Sequence, residues 1–222
     1  AQWGHDFRPD YTRMEEIHRS LKEPPVLALT ATATSRVQKD ILQGLGLSPE
    51  TRVYNQGYGR PNLTMEALPV VGLDEKVRSF VFFHQQHPGA KIVYFSLVDS
   101  LKKFSRELEK LNLDHWHYHG QLSNQERKAS QKAFINSDDG LILATPAFGL
   151  GVNKANIRMV VHGEIPGSIE SYYQEVGRAG RDGKPSHCVL LFDGDDLSIQ
   201  MDFIKWAHPD PSFIRTVYSL IK

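Results

Sequence analysis

Arg178 and Arg181 stand three residues apart in the run Gln174-Glu175-Val176-Gly177-Arg178-Ala179-Gly180-Arg181-Asp182-Gly183, where three glycines let the chain bend around them. A guanidinium is a permanent, planar, multidentate donor. Two of them aimed the same way suit a triphosphate, whose γ-phosphoryl group disperses charge in the transition state. An arginine so placed accelerates nucleotide hydrolases by roughly 10³ to 10⁵. The rival reading is a solvated Gly/Arg turn after a helix. Three further constellations carry possible chemistry. Ala144 to Lys154 combines a hydroxyl (Thr145), an ammonium (Lys154) and two glycines, Gly149 and Gly151, that allow close backbone approach to a ligand. Trp3, Phe7 and Arg8 flank Gly4 and Pro9 near the start, offering ring faces and a cation, or simply core residues. His115, His117 and His119 alternate along one strand face. Three imidazoles there have ligand chemistry for zinc. Trp116 and Tyr118 read as the buried side, however, so the histidines are expected to form a polar outer face and no metal site.

These groups need a scaffold. From residue 74 onward, strand and helix signals alternate: helix at Lys76 to His87, strand at Ile92 to Phe95, helix at Leu101 to Leu111, strand at Asp114 to His119. A helix at Ser123 to Ile135 opens on a Ser123/Glu126 capping box. Strands follow at Leu141 to Ala144, Arg158 to His162 and His187 to Phe192, with a helix at Ser168 to Val176 between the last two. Such alternation predicts an α/β fold with a mostly parallel sheet flanked by helices, whose ligands meet the loops at the strand C-terminal ends. Upstream, a helical stripe (Tyr11, Met14, Ile17, His18, Leu21) ends at Pro24 and Pro25. A short apolar run, Val26 to Leu29, reads as a buried strand before the Thr30 to Thr34 segment. A second helix starts near Ser35, where Ser35 and Gln38 have capping-box spacing. Breakers Gly57, Gly59, Pro61, Pro69 and Gly72 mark a linker with a connecting strand, which puts a domain boundary near residue 62.

Composition sets the limits. The chain has 222 residues, 40% hydrophobic and 23% charged, enough for one full α/β domain and part of another. Lys plus Arg and Asp plus Glu are 26 each, so the formal net charge is zero. That excludes a general polyanion binder, and any nucleic-acid contact must be local. A single cysteine, Cys188, excludes a disulfide framework. No apolar run nears the roughly 20 residues a membrane span requires. The expected setting is cytoplasmic, or nucleoid-associated in a bacterium.

Read together, the motifs resemble those of RecQ-like ATP-dependent DNA helicases of superfamily 2, in the family's order and over nearly the whole chain. Gln174 to Gly183 is similar to motif VI, Ala144 to Lys154 to motif V, and Tyr118-His119-Gly120 with Arg127 to the segment between motifs IV and V. Thr30 to Thr34 is similar to motif III, and Gln2 to Pro9 to the aromatic-rich loop. Motif IV is weaker: Ile92 to Asp99 has the apolar strand, but Val98 stands where an arginine is common, leaving Ser96 as the contact candidate.

The resemblance implies a RecA-like lobe 2 at residues 62–195, preceded by the end of lobe 1 at 1–61 and followed by a helical extension of at most two helices at 196–222. It implies catalytic roles for Arg178, Arg181 and Gln174, and nucleotide contacts for Asn153, Gly151 and Gly177. Candidate DNA contacts are Trp3, Phe7, Arg8, Ser96, His119, Thr145 and Lys154. Trp3 and Phe7 would stack on bases, and Thr145 with nearby N–H groups would hold a phosphate without reading sequence. Thr30 and Thr32 would couple the nucleotide and DNA sites, in rivalry with plain N-cap chemistry. The cofactors implied are ATP and Mg²⁺, and the partners are single-stranded and duplex DNA and the rest of lobe 1. The family's P-loop and DEAH box lie upstream of the aromatic-rich loop, so this chain by itself is expected to be inactive as an ATPase, and the intact protein to move 3′ to 5′. A non-catalytic binding module and an RNA helicase are the alternatives.

Overall fold

The computed structural model describes residues 13–30, 34–48, 50–55, 57, 59–149 and 152–221. The chain divides between Gly59 and Arg60 into two units. No described helix is long and apolar enough to cross a membrane.

Among its described residues the first unit holds two short helices, α1 (Met14–Ser20) and α2 (Ser35–Gly44). Helix α1 stops before the prolines. Lys22 and Glu23 take left-handed φ of 64° and 53°, and the Glu23 N–H bonds back to His18 O, a Schellman-type ending. Helix α2 is capped by Thr34, whose hydroxyl accepts from Val37 N, so the cap falls one residue before the expected Ser35. The expected buried strand at Val26 to Leu29 is not there. The run is irregular, with Leu27 81% and Leu29 83% exposed. No described strand in this unit offers it a ladder, and a lone strand leaves its backbone groups unpaired.

The second unit is built on six parallel strands: β1 (Leu63–Pro69), β2 (Ala90–Tyr94), β3 (Trp116–Tyr118), β4 (Leu141–Ala144), β5 (Ile157–His162) and β6 (Ser186–Phe192), in the order β1-β6-β5-β2-β4-β3. The breaker-rich linker thus supplies a full edge strand, β1. Helices α3 (Gly72–Gln86), α4 (Val98–Lys110), α5 (Asn124–Asn136) and α6 (Ile169–Val176) connect the strands. The expected α5 capping box forms in both directions between Ser123 and Glu126.

Strands β2 and β4 are buried along their whole length because helices cover both sheet faces. The period of two then sorts their side chains. Val93, Leu143, Met159, Val161 and Val189 pack with Phe80, Leu101, Phe104 and Leu108 of α3 and α4. Ile92, Tyr94, Ile142, Val160 and Cys188 pack on the other face with Phe134 of α5 and Val176 of α6. Truncating a fully buried residue such as Phe104 would cost about 3–5 kcal/mol. Two exposed helices follow, α7 (Asp196–Ala207) and α8 (Pro211–Ile221). Helix α7 is tied to the lobe by a buried ion pair, Lys76 Nζ to Asp196 Oδ1 at 2.7 Å, with Lys76 also donating to Gly163 O.

Candidate nucleotide and nucleic-acid sites

The arginine turn begins where α6 ends. Ser168 caps the helix start by accepting from Ser171 N, and Gly177 caps its end. The following N–H groups keep tight turns: Arg178 N donates to Glu175 O and Ala179 N to Val176 O. The chain then crosses the sheet flank, and Gly180 N donates to Ile157 O at the first residue of β5. The backbone of the arginine turn therefore lies at the N-terminal end of β5, while the Arg178 side chain reaches back toward Gly149 and Tyr94. The reason is topological: α6 leaves the C-terminal end of β5 and must return the chain to the N-terminal end of β6.

Arg178 Nη1 donates to Gly149 O at 2.8 Å, and Arg181 Nη1 to Val152 O at 3.1 Å. Both thus brace the Ala144 to Lys154 segment. The glycine at 149 has a definite purpose, since a Cβ there would overlap the Arg178 guanidinium, 2.5 Å from Cζ. The close approach expected of Gly149 is to Arg178 itself. A third guanidinium, Arg60, reaches the same turn from the start of β1. Among the described residues none of the three has a carboxylate partner, and Arg178 Nε is buried without an acceptor. Desolvation, then Arg178, then Arg60 hold the Arg181 guanidinium below its ordinary value. An uncompensated cluster of cations with a spare buried donor fits an anion of several oxygens, as in a phosphate chain. Gln174 and Asn153 are exposed beside this cluster's segments, and a Cβ at Gly177 would crowd Tyr173 O at 3.0 Å.

Behind Arg178 lies a buried polar chain that the sequence did not disclose. His162 Nε2 and Glu175 Oε2 are 2.7 Å apart, His162 stacks with Tyr94, and Tyr94 OH donates to Phe148 O. Burial pushes the Tyr94 phenol above its ordinary range.

The second group of candidates sits at the strand ends. Ser96, Thr145 and His119 follow β2, β4 and β3, three adjacent strands, so they line one sheet edge. Thr145 is fixed by its N–H to Tyr118 O and by its own carbonyl, which accepts from Phe148 N. His119 is buried, with Nδ1 unpaired; desolvation and then Lys102 hold it below its ordinary value. Ser96 is already engaged. Its hydroxyl donates to Ile165 O and accepts from Gln200 of α7, while Glu164 takes the N–H groups of Ser96 and Leu97 at the start of α4. A cleft of about 430 Å³ opens beside it, walled by Pro146, Ser171 and Glu175 on one side and Gln200, Phe203 and His208 on the other.

Lys154 departs from expectation. It is 5% exposed, and its Nζ donates to Ile135 O and Ser137 O at 3.1 and 2.7 Å, closing the C-terminal end of α5. A cation there answers the helix dipole and its free carbonyls, and the ammonium is spent on them. The histidine strand also differs. His115 and His117 are not an outer face: the Nε2 atoms of both lie 2.8 Å from Ser105 Oγ, beneath α4, because this sheet is covered on both sides. Trp3, Phe7, Arg8, Thr32 and Gly151 lie outside the described residues; Thr30 is exposed.

Residues 73–183 match the helicase conserved C-terminal domain family. In sequence the chain is 41% identical over 206 residues to the ATP-dependent DNA helicase RecQ of Bacillus subtilis, covering 92% of this chain and 34% of that protein. It is 36% identical over 228 residues to the RecQ-like DNA helicase BLM of Xenopus laevis, covering 100% and 17%. The chain spans about a third or less of these relatives. In structure it is similar to S. cerevisiae Dbp5 bound to RNA and ADP BeF3, with TM-score 0.67, 16% identity, and coverage of 88% of this chain and 52% of that one. Mss116p bound to ssRNA and AMP-PNP is similar at TM-score 0.67 and 18% identity, covering 86% and 41%. At such identities these two matches speak for the fold alone.

Proposed function

The chain belongs to the helicase conserved C-terminal domain family and is RecQ-like, and from that premise we propose that its second unit is the second motor lobe of an ATP-dependent DNA helicase. The observation that carries the reading is the pair Arg178 and Arg181, with no carboxylate partner among the described residues and a buried, unpaired Nε on Arg178. In the proposal a nucleotide held mainly by a companion lobe presents its γ-phosphoryl group to Arg178 and Arg181. Both guanidiniums gain most when charge spreads onto the equatorial oxygens, so they lower the barrier more than they tighten binding. Asn153 and Gln174 border the same face. Mg²⁺ would be held by the companion lobe.

Single-stranded DNA would pass the edge formed by the ends of β2, β4 and β3. Thr145 and nearby N–H groups would contact phosphates there, and for Trp3, Phe7 and Arg8 of the first unit the proposed roles are base stacking and phosphate contact. The segment from Thr145 to Lys154 starts at that DNA edge and ends beside the arginines. A change in nucleotide state that moves Arg178 therefore pulls on Gly149 and so on the DNA-facing end. This linkage supports alternate gripping and stepping; the proposed 3′ to 5′ direction follows from the family resemblance alone.

The test is made in the full reading frame that encodes this chain. Arg178→Ala and Arg181→Ala are each expected to lower the ATPase kcat by roughly 10³-fold or more with a smaller change in KM. Near-normal kcat in both would reject the role.

A further inference from the structure

Arg60 belongs to neither arginine of the recognised motif. It lies 118 residues upstream of Arg178, just ahead of edge strand β1, which pairs in parallel with β6. Its Nη2 donates to Ala179 O at 2.9 Å and Gly180 O at 3.0 Å. Two residues on, Asn62 Nδ2 donates to Gly180 O at 2.8 Å and Lys184 O at 3.0 Å, while Asn62 O accepts from Ser186 N at 2.9 Å. Arg60 and Asn62 thus grip the carbonyls lying between the two arginines of the turn.

The turn needs this grip. Ala179 and Gly180 are buried, so their carbonyls require donors. Gly180 holds a left-handed φ of 54°, and a Cβ there would sit 2.5 Å from Asn62 Nδ2 and 2.8 Å from Lys184 O. The peptide planes on either side of Gly180 decide where Arg178 and Arg181 leave the backbone, and those planes are fixed by Arg60 and Asn62.

From this geometry we infer that Arg60, with Asn62, is a positioning residue for the arginine turn. It presents Arg178 and Arg181 to the nucleotide without contacting the nucleotide itself. The inference rests on the proposed role of Arg178. A displacement of about 1 Å at a reacting centre costs on the order of 10²-fold in rate, so loosening the turn should appear in kcat.

The experiment measures ATPase kcat, KM for ATP and melting temperature for Arg60→Ala, Asn62→Ala, Arg178→Ala, Arg181→Ala and the Arg60→Ala/Arg178→Ala double variant of the full-length protein. Arg60→Ala is expected to lower kcat at least about tenfold with KM within about threefold. The double variant should lose less than the product of the two single losses, because Arg60 acts in part through Arg178 and otherwise through Arg181. Should Arg60→Ala fail to fold, Asn62→Ala, which removes two bonds from the same turn, is read in its place against the same thresholds. A folded Arg60→Ala protein with kcat within twofold of the parent overturns the inference. So does a double variant whose losses multiply, which would place Arg60 on the nucleotide directly. Normal kcat in both Arg178→Ala and Arg181→Ala would instead bring down the underlying motor reading, so the two failures are separable.

Discussion

Gly149→Ala is a one-carbon change that should disable the motor while leaving the fold intact. The added Cβ would lie 2.5 Å from Arg178 Cζ and 3.1 Å from Nη1. Arg178 Nη2 would be nearer still and ordinary contact begins near 3.4 Å, so the guanidinium must retreat by more than about 1 Å. It would also lose its 2.8 Å bond to Gly149 O. Gly149 is not among the positive-φ glycines, so alanine fits the backbone. The clash is with the far end of a flexible side chain and is relieved by moving that end. The stability cost should therefore stay near one charged hydrogen bond, about 1.5–3 kcal/mol at most. Catalysis is less forgiving: a 1 Å misplacement is worth about 10²-fold. In the full-length protein, DNA-stimulated phosphate release should fall about 10²-fold in kcat, with KM for ATP changed far less and unfolding still cooperative. If kcat stays within threefold of the parent, Arg178 does not act from the position described. A fall in kcat that merely tracks loss of folded protein would equally refute the reasoning.

Lys154→Ala should lower the melting temperature by removing two bonds at the end of α5, about 1–3 kcal/mol. It should leave the salt dependence of DNA binding unchanged, whereas a lost phosphate contact would reduce the slope of log K against log salt by about 1. Acidification should destabilise the second unit. His84, His87, His117 and His119 are all held below the ordinary 6.5, chiefly by desolvation. Above 6.5 both folded and unfolded states keep them neutral; as pH falls through 6.5 the unfolded chain binds protons first, and stability declines until the folded-state values are passed. Urea midpoints at pH 7.5 and 5.5 check this, and equal midpoints would contradict it. Trp3→Ala and Phe7→Ala in the full-length protein should keep basal ATPase and lose most of its stimulation by single-stranded DNA. Joint loss of basal rate and melting temperature would make both residues structural.

The alternation of apolar runs and capped helices was enough to predict the parallel sheet, because short apolar runs that recur between helices of regular length pair as strands, whereas the isolated run at Val26 to Leu29 did not. Val93 and Ile142 declare themselves by type, and Ser123 with Glu126 by spacing. The arginine turn was legible for a similar reason: glycine, arginine and their separation are local properties. What could not be read was where a side chain spends its charge. Lys154 sits in a segment that resembles a phosphate-binding motif, yet its ammonium ends on the carbonyls of α5, which reach it only because α5 and the β4–β5 connection converge at one end of the sheet. Ser96 lost its free hydroxyl to Gln200, 104 residues away. Arg60 looked like part of a linker. Parallel pairing of β1 with β6 brings it beneath a turn 118 residues downstream, a juxtaposition with no local signature. Sequence determined which chemistry the chain carries, since residue type and near spacing are written along it. Tertiary structure decided which groups remain available for that chemistry, since hydrogen-bond partners are allotted by how the sheet stacks its crossovers.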